Sequence, residues 1–569
     1  MKRSFLVLIG CLCALLVAGL TVDSTPNHTA VFTEDAVASD HVEASQAGAE
    51  ILAAGGNAAD AAAATMLALG VVNPASSGLG GGGFALYYSA KDGSVSFLDF
   101  RERAPRAATP TMFETEGPLP PGPANAPSQL GGLAAGVPGE PAGIEALVRR
   151  FGRLSLDQVV APALRLAEQG FTVSEALAAM GAVFGSQLRE DPVMSTWNLK
   201  PGATLQRPSL ARVLRAFAER GAAVIYGGVI GQEIVAAVRS HGGVMTLDDL
   251  RAYRVRSRKP LEATAFGHRW VTAPPPSAGG FTLIQSLLIL QQAVGPHPAH
   301  DASFMHALAE SWKGPFLDRQ LYFGDPDQVI VPIDRMLQKS RLEKRAALVE
   351  DGRAHPMEAY DFPIDWSTRR AATPEGGGTS HLCVVDSEGN VASVTTTVNL
   401  PFGARFTGGG IVMNDEMDDF ASDVGQANAF GLVGGASNLP GPWKRPVSTM
   451  SPTIVFAHGK PELCIGASGG SRIVTATEQV ALDVLLFGMD AGRAVAAPRI
   501  HHQGIPASLR VEEIAPLDAS LKDALRARGH SIEPIHNVAN VQAIEIERVP
   551  TRSLIAASDP RKGGRPAGH

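Results

Sequence analysis

The chain has 569 residues, 45% hydrophobic and 18% charged, with a formal net charge of −7. That is globular composition with ample length for a large core, in roughly two to four domains. The negative balance, without runs of like charge, argues against nucleic-acid binding.

In chain order, Lys2 and Arg3 precede an apolar stretch from Phe5 to Leu20, which reads as an export signal over residues 1–20 with an unfixed cleavage site. A polar linker, 21–35, follows. Leu8-Ile9-Gly10-Cys11 has the form of a lipoprotein box, but it sits early and the apolar run continues past it. The expected location is therefore periplasmic or secreted, with lipidation or an uncleaved anchor as alternatives. Past the signal only Cys383 and Cys464 remain, in strand-like apolar runs. Buried free thiols are the main reading, and a disulfide between them is the alternative.

Residues 41–70 read as an Ala-rich helical region broken at Gly55-Gly56-Asn57. Strands are expected at Phe84–Tyr88 and Ser96–Phe100, and a Pro/Thr/Gly-rich loop at 107–129. From about 140 to 350 helical periodicity dominates, as at 143–150, 156–169, 209–219, 231–241 and 281–293. Residues 352–378 are polar and carry prolines, and are expected to be exposed or mobile. From 379 onward strands prevail, with one helix near 471–487. The polar, basic end, 559–569, reads as a frayed tail. Strands at both ends with helices between them argue for a single α+β body.

Three motifs carry chemistry. Gly78-Leu79-Gly80-Gly81-Gly82-Gly83 satisfies the dinucleotide pattern, but a helix precedes it and a strand follows, the reverse of what that fold requires. Close backbone approach explains these glycines better. Gly466-Ala467-Ser468-Gly469-Gly470 satisfies the nucleophile-elbow pattern between a strand and a helix. Asp483 and His501, His502 or His530 follow in triad order, so a serine esterase using Ser468 is a competing reading. Gly376-Gly377-Gly378-Thr379-Ser380-His381 runs a flexible glycine stretch into a threonine at the start of a strand. A threonine there is placed to attack its own upstream carbonyl, cutting between Gly378 and Thr379 and freeing an α-amine that then serves as its base. The plain alternative is a glycine loop entering a strand. His381 reads as a structural histidine. His501-His502 lacks a third ligand at metal spacing, so no metal is expected.

The surrounding motifs decide between these readings. Thr379-Ser380-His381, Thr397-Val398-Asn399, Asn414 to Phe420, Arg445 to Thr453 and Gly469-Gly470-Ser471-Arg472 closely resemble the γ-glutamyltranspeptidase (glutathione hydrolase) family. Upstream, Gly55 to Ala61, Gly78 to Phe84, Asp99-Phe100-Arg101-Glu102, Gly136 to Gly139 and Pro275 to Gly280 follow the family's order. The resemblance covers nearly everything after residue 36.

It implies an αββα sandwich of the N-terminal-nucleophile hydrolase type. One precursor is divided into a heavy subunit, 36–378, and a light subunit, 379–569, which stay associated. Thr379 is the implied nucleophile, tuned by Thr397, with Gly469 and Gly470 N–H groups facing the oxyanion. Arg101, with Ser448 and Thr449, is implied to hold the substrate α-carboxylate, and Asn399, Glu416 and Asp419 its α-ammonium. Thr449 stands where the family often has a second serine. The implied substrates are glutathione and other γ-glutamyl compounds, with water, amino acids or dipeptides as acceptors and no cofactor. Residues 420–443 resemble a pocket-covering loop, with Phe430 where some members have a gating tyrosine. A related amidase of the cephalosporin or glutaryl acylase kind is the second reading, weakened by the intact Arg101 and Asp419.

Overall fold

The computed structural model describes residues 28–114, 124–350, 352–364, 378–421, 428–430, 432, 434–547 and 551–569. The export segment with Cys11 and Cys13, the glycines 376 and 377, and Gly431 of the covering loop lie outside the described residues.

Two seven-stranded antiparallel sheets lie face to face. One runs in the order Ala567–Gly568, Ala36–Ser39, Gly378–Val385, Val391–Asn399, Gly82–Tyr88, Val95–Phe100, Arg256–Arg258. The other runs Thr29–Phe32, Ser553–Ser558, Asn540–Glu547, Lys460–Ser468, Thr453–Ala457, His268–Thr272, Leu261–Ala265. Helices Val42–Ala53 and Ala58–Val72 cover the first sheet, and Gly279–Val294 and Ile473–Leu485 cover the second. These layers form the αββα sandwich.

Strand alternation explains why the central strands are apolar throughout. Leu382 and Val384 face the helices, while Cys383 and Val385 face the opposing sheet. Cys383 and Cys464 are buried free thiols. The helix Ala58–Val72 is enclosed on all sides and starts at a capping box, in which the Asn57 side chain accepts from the Ala59 and Asp60 N–H groups and Asp60 accepts from Asn57 N–H. The glycine run after it is a close-approach device. A Cβ on Gly81 would sit 1.9 Å from the Thr397 carbonyl oxygen, and one on Gly80 equally close to that of Val412.

The structure corrects several expectations. The end of the chain is not a frayed tail: Ala567–Gly568 pairs with Ala36 and Val37, Asp559 is buried between Arg499 and Arg561, and the Lys562 ammonium bonds Asp40. Its charges have partners hundreds of residues away, which local composition cannot reveal. Thr29–Phe32, expected within the linker 21–35, pairs with Leu554–Ala557 as an edge strand. The helical middle contains the hairpin Leu261–Ala265/His268–Thr272, turned by Phe266 and Gly267, both at positive φ. Within 352–364, Met357–Tyr360 forms a turn that buries Met357 and Tyr360, and the Tyr360 carbonyl accepts from Arg345.

Candidate active site

Thr379 sits near the start of strand Gly378–Val385, where a register irregularity between Gly378 and Ser380 loosens the pairing with Val391–Asn399. Its hydroxyl donates to the Gly378 carbonyl at 2.7 Å, and the Thr397 hydroxyl donates to the same oxygen at 2.8 Å. The two hydroxyls are 3.3 Å apart, and Thr397 Oγ1 also accepts from Asn399 N–H at 2.8 Å. Two donors thus converge on the carbonyl of the Gly378–Thr379 bond.

Beside them lies a small cavity whose lining includes Arg101, Thr379, Thr397, Glu416, Asp419 and Gly470, together with Asn399, Ser448, Thr449 and Phe430. The sequence-predicted residues therefore converge, with Gly469 facing a second cavity on the other side of Thr379. Arg101 is fully buried. Its guanidinium bonds Glu416 and Asp419, reaches the Pro446 and Val447 carbonyls at 3.3 and 3.2 Å, and lies 3.9 Å from Glu102. Burial pulls the Arg101 pKa down, but Glu416, Asp419 and Glu102 outweigh it and hold it above the usual arginine range. Burial drives the Glu416 carboxyl well up against the pull of Arg101, and pushes Glu102 up to about 8.

The motifs around this ion cluster position it. Asn414 bonds Gly80, both backbone groups of Gly136, and the Glu416 N–H, tying the glycine run to the acidic turn Glu416–Asp419. Asn399 commits its amide nitrogen to the Asp415 carbonyl at 3.0 Å, which leaves its side-chain oxygen for the cavity. The segment Pro275–Gly280 braces the Ser448–Met450 turn through Ser277 to the Met450 carbonyl at 2.6 Å and Ala278 N–H to the Ser448 carbonyl at 2.8 Å. Thr449 donates to the Gly470 carbonyl at 3.0 Å, so its hydroxyl fixes the glycine turn. Gly469 and Gly470 have φ of +143° and +62°, and a Cβ on Gly470 would lie 2.3 Å from the Phe430 ring.

Sequence reasoning missed three supports. Asn428 bonds the Asp419 carboxylate at 2.7 Å, and Asn438 bonds the Asp419 carbonyl at 2.8 Å. Lys562 donates to the Thr379 carbonyl at 2.6 Å while paired with Asp40. Nothing local marked Lys562, which lay in the supposed tail.

The competing serine lacks its base. Ser468 ends a strand that leads by a turn into the helix Ile473–Leu485, as the motif requires, but its hydroxyl meets Lys562 at 3.2 Å and Asp40 at 3.5 Å. His501 is held by Thr475 and Gln503, His502 by Gly504 N–H, and His530 by His306, while Asp483 faces His300. The esterase reading therefore fails on geometry. His381 is fully buried and bonds Thr395 at 2.9 Å, and burial depresses its pKa to about 3, so it is a neutral packing group. Among the described residues, His306, Glu310 and His530 form a possible ligand group, but the Lys313 ammonium already bonds Glu310 and supplies the positive charge there.

A family model described as Gamma-glutamyltranspeptidase matches residues 44–569. The Glutathione hydrolase proenzyme of Escherichia coli (strain K12) is 38% identical over 536 residues, spanning 92% of this chain and 90% of that protein. The solved cephalosporin acylase from Bacillus halodurans aligns with a TM-score of 0.80 at 27% identity, over 96% of this chain and 98% of that one. The Helicobacter pylori γ-glutamyltranspeptidase structure aligns with a TM-score of 0.53 at 31% identity, over 61% of this chain and 98% of that one. Matches of this length and identity leave one assignment: the chain belongs to the γ-glutamyltranspeptidase family.

Proposed function

We propose that the protein is an exported, self-processing γ-glutamyltransferase and glutathione hydrolase with Thr379 as its nucleophile. The observation that carries the reading is the adjacency of the Thr379 hydroxyl to both a scissile-type carbonyl and a buried cluster of one guanidinium and two carboxylates.

Processing comes first. Thr379 Oγ1 attacks the Gly378 carbonyl carbon, Thr397 donates to the oxygen as it gains charge, and the C–N bond breaks to leave an ester and a free α-amine. Water hydrolyses the ester. The heavy part, 36–378, and the light part, 379–569, stay together because both contribute hydrogen-bonded strands to each sheet.

The substrate's glutamyl end is a zwitterion, and the ion cluster suits it. Its α-carboxylate takes the Arg101 fork and its ammonium takes Glu416 and Asp419, so each buried charge exchanges one partner for another. The Thr379 amine accepts the hydroxyl proton, the oxygen attacks the γ-carbonyl, and the Gly469 and Gly470 N–H groups stabilise the oxyanion. A γ-glutamyl ester forms and the leaving amine departs. Water then yields glutamate, or an acceptor amine yields a transfer product.

The leaving dipeptide of glutathione belongs in the second cavity. Among the described residues no carboxylate lines it, whereas Arg472 and Lys562 do, Lys562 already sharing its charge with Asp40, which favours a C-terminal carboxylate over a protonated amine. The acylase-like relative shares the scaffold, but a plain acyl group has no use for both Arg101 and the Glu416/Asp419 pair. The test is release of a chromogenic anilide from a γ-glutamyl donor. Wild-type protein is expected to release it, and a glutaryl anilide is expected to react at least tenfold more slowly. Thr379→Ala is expected to lose on the order of 10⁴-fold or more. Equal rates on the two donors, or an active Thr379→Ala, would overturn the proposal.

A further inference from the structure

The second cavity, about 250 Å³, opens from Thr379 and Gly469 and is walled on one side by the helix Glu175–Leu188. Ala176, Leu177, Ala179, Met180 and Val183 face it, a spacing that forms one stripe of an α-helix. Leu177 also belongs to the core, with Ala178, Phe184 and Leu188, and Val183 packs against it. Ala176, Ala179 and Met180 thus remain as apolar surface that the core packing does not use, and Met180 is 38% exposed. Apolar surface held toward a solvent-connected cavity is unfavourable unless a ligand covers it. The rest of the cavity supplies polar groups and cations, so polar and apolar contacts are segregated within one site.

We infer that this helix wall is the side-chain subsite for the acceptor. It selects amino acids or dipeptides whose attacking residue carries a medium-sized apolar side chain, such as leucine or methionine. The inference rests on the γ-glutamyl reading above. An acceptor amine must reach the ester carbon on Thr379, and the side chain next to that amine is then confined to the space between the nucleophile and the helix. In the transfer step the amine nitrogen bonds the γ-carbonyl carbon, the carbon–Oγ1 bond breaks, and the amine proton returns through the Thr379 α-amine to Oγ1. The carboxylate end of the acceptor points toward Arg472 and Lys562.

The test measures how the γ-glutamyl-enzyme partitions between acceptors. Processed protein is given a γ-glutamyl anilide with leucine and glycine in equal concentration, and the two transfer products are counted by mass spectrometry. The wild type is expected to favour leucine by about tenfold or more. Met180→Asn is expected to compress that ratio several-fold, and Ala179→Leu, which fills the cavity, to move it toward glycine. Met180 is half-exposed and Ala179 partly buried, so both variants keep the fold. A wild-type ratio near one, or a ratio unmoved in both variants, overturns the inference while leaving the γ-glutamyl reading intact. A wild type that releases no anilide overturns that reading and the inference with it.

Discussion

The two cavities that meet at Thr379 are built on opposite principles. The side proposed for the donor is small, lined by buried residues and crowded with paired charge: one guanidinium, two bonded carboxylates and a third carboxyl, Glu102, close behind. The side proposed for the acceptor is roomier, carries Arg472 and Lys562 and is walled by a helix that presents Ala176, Ala179 and Met180. On the proposed function, the contrast teaches how one nucleophile would serve a strict donor and varied acceptors. Fixed, desolvated ion pairs discriminate steeply, because an ill-matched ligand leaves a buried charge unpaired. An apolar wall discriminates gently, by fractions of a side chain.

Breaking the donor side should therefore cost most. Arg101→Gln leaves Glu416 and Asp419 buried without their guanidinium. It is expected to destabilise the protein by about 3–5 kcal/mol and to raise the donor KM by more than tenfold, with hydrolysis and transfer falling together. Denaturant unfolding and steady-state kinetics read the two effects. Transfer falling while hydrolysis holds would erase the division between the sides.

Gly470→Ala is expected to fall next. The added Cβ meets the Phe430 ring and the backbone is in the left-handed region, so the proposed oxyanion turn must shift. Loss of one such donor's alignment typically costs about 10²-fold in kcat, and KM for the donor should change much less. A variant with wild-type kcat would remove Gly470 from the oxyanion site.

The smallest effect sharpens the electrostatics. Burial pushes the Glu102 carboxyl up to about 8, with Arg101 pulling the other way. An unfolded glutamate titrates near about 4.3. Between those values the unfolded chain has released a proton that the folded chain keeps, so this group's contribution to stability is full at low pH and declines as pH rises toward 8. Glu102→Gln lacks that decline, and its Tm is expected to gain on wild type progressively from about pH 5 to pH 8. Parallel Tm curves would show that Glu102 is not the proton-holding member of the cluster.

The donor side was legible in the sequence because its residues lie in compact motifs. Thr379, Thr397, Asn399, Glu416 and Asp419 come from one hairpin and the turn after it, and the glycines mark places where no Cβ fits. The acceptor side was not, because its pieces are scattered. The helix Glu175–Leu188 reads as an ordinary helix, and Lys562 stands in a polar stretch whose partner Asp40 is at the other end of the chain. The same distance effect hid the edge strand Thr29–Phe32 and the end strand Ala567–Gly568, whose pairing is set by the sheet rather than by local pattern. The elbow motif at Ser468 failed for the complementary reason: its local context is right, and the base it needs is elsewhere.

The most direct measurement is N-terminal sequencing of the chains in purified, catalytically active protein, run beside the Thr379→Ala variant on a denaturing gel. The account predicts two chains in the wild type, the smaller beginning Thr379-Ser380-His381, and one uncut chain in the variant. Full γ-glutamyl turnover by wild-type protein that remains a single polypeptide would contradict it.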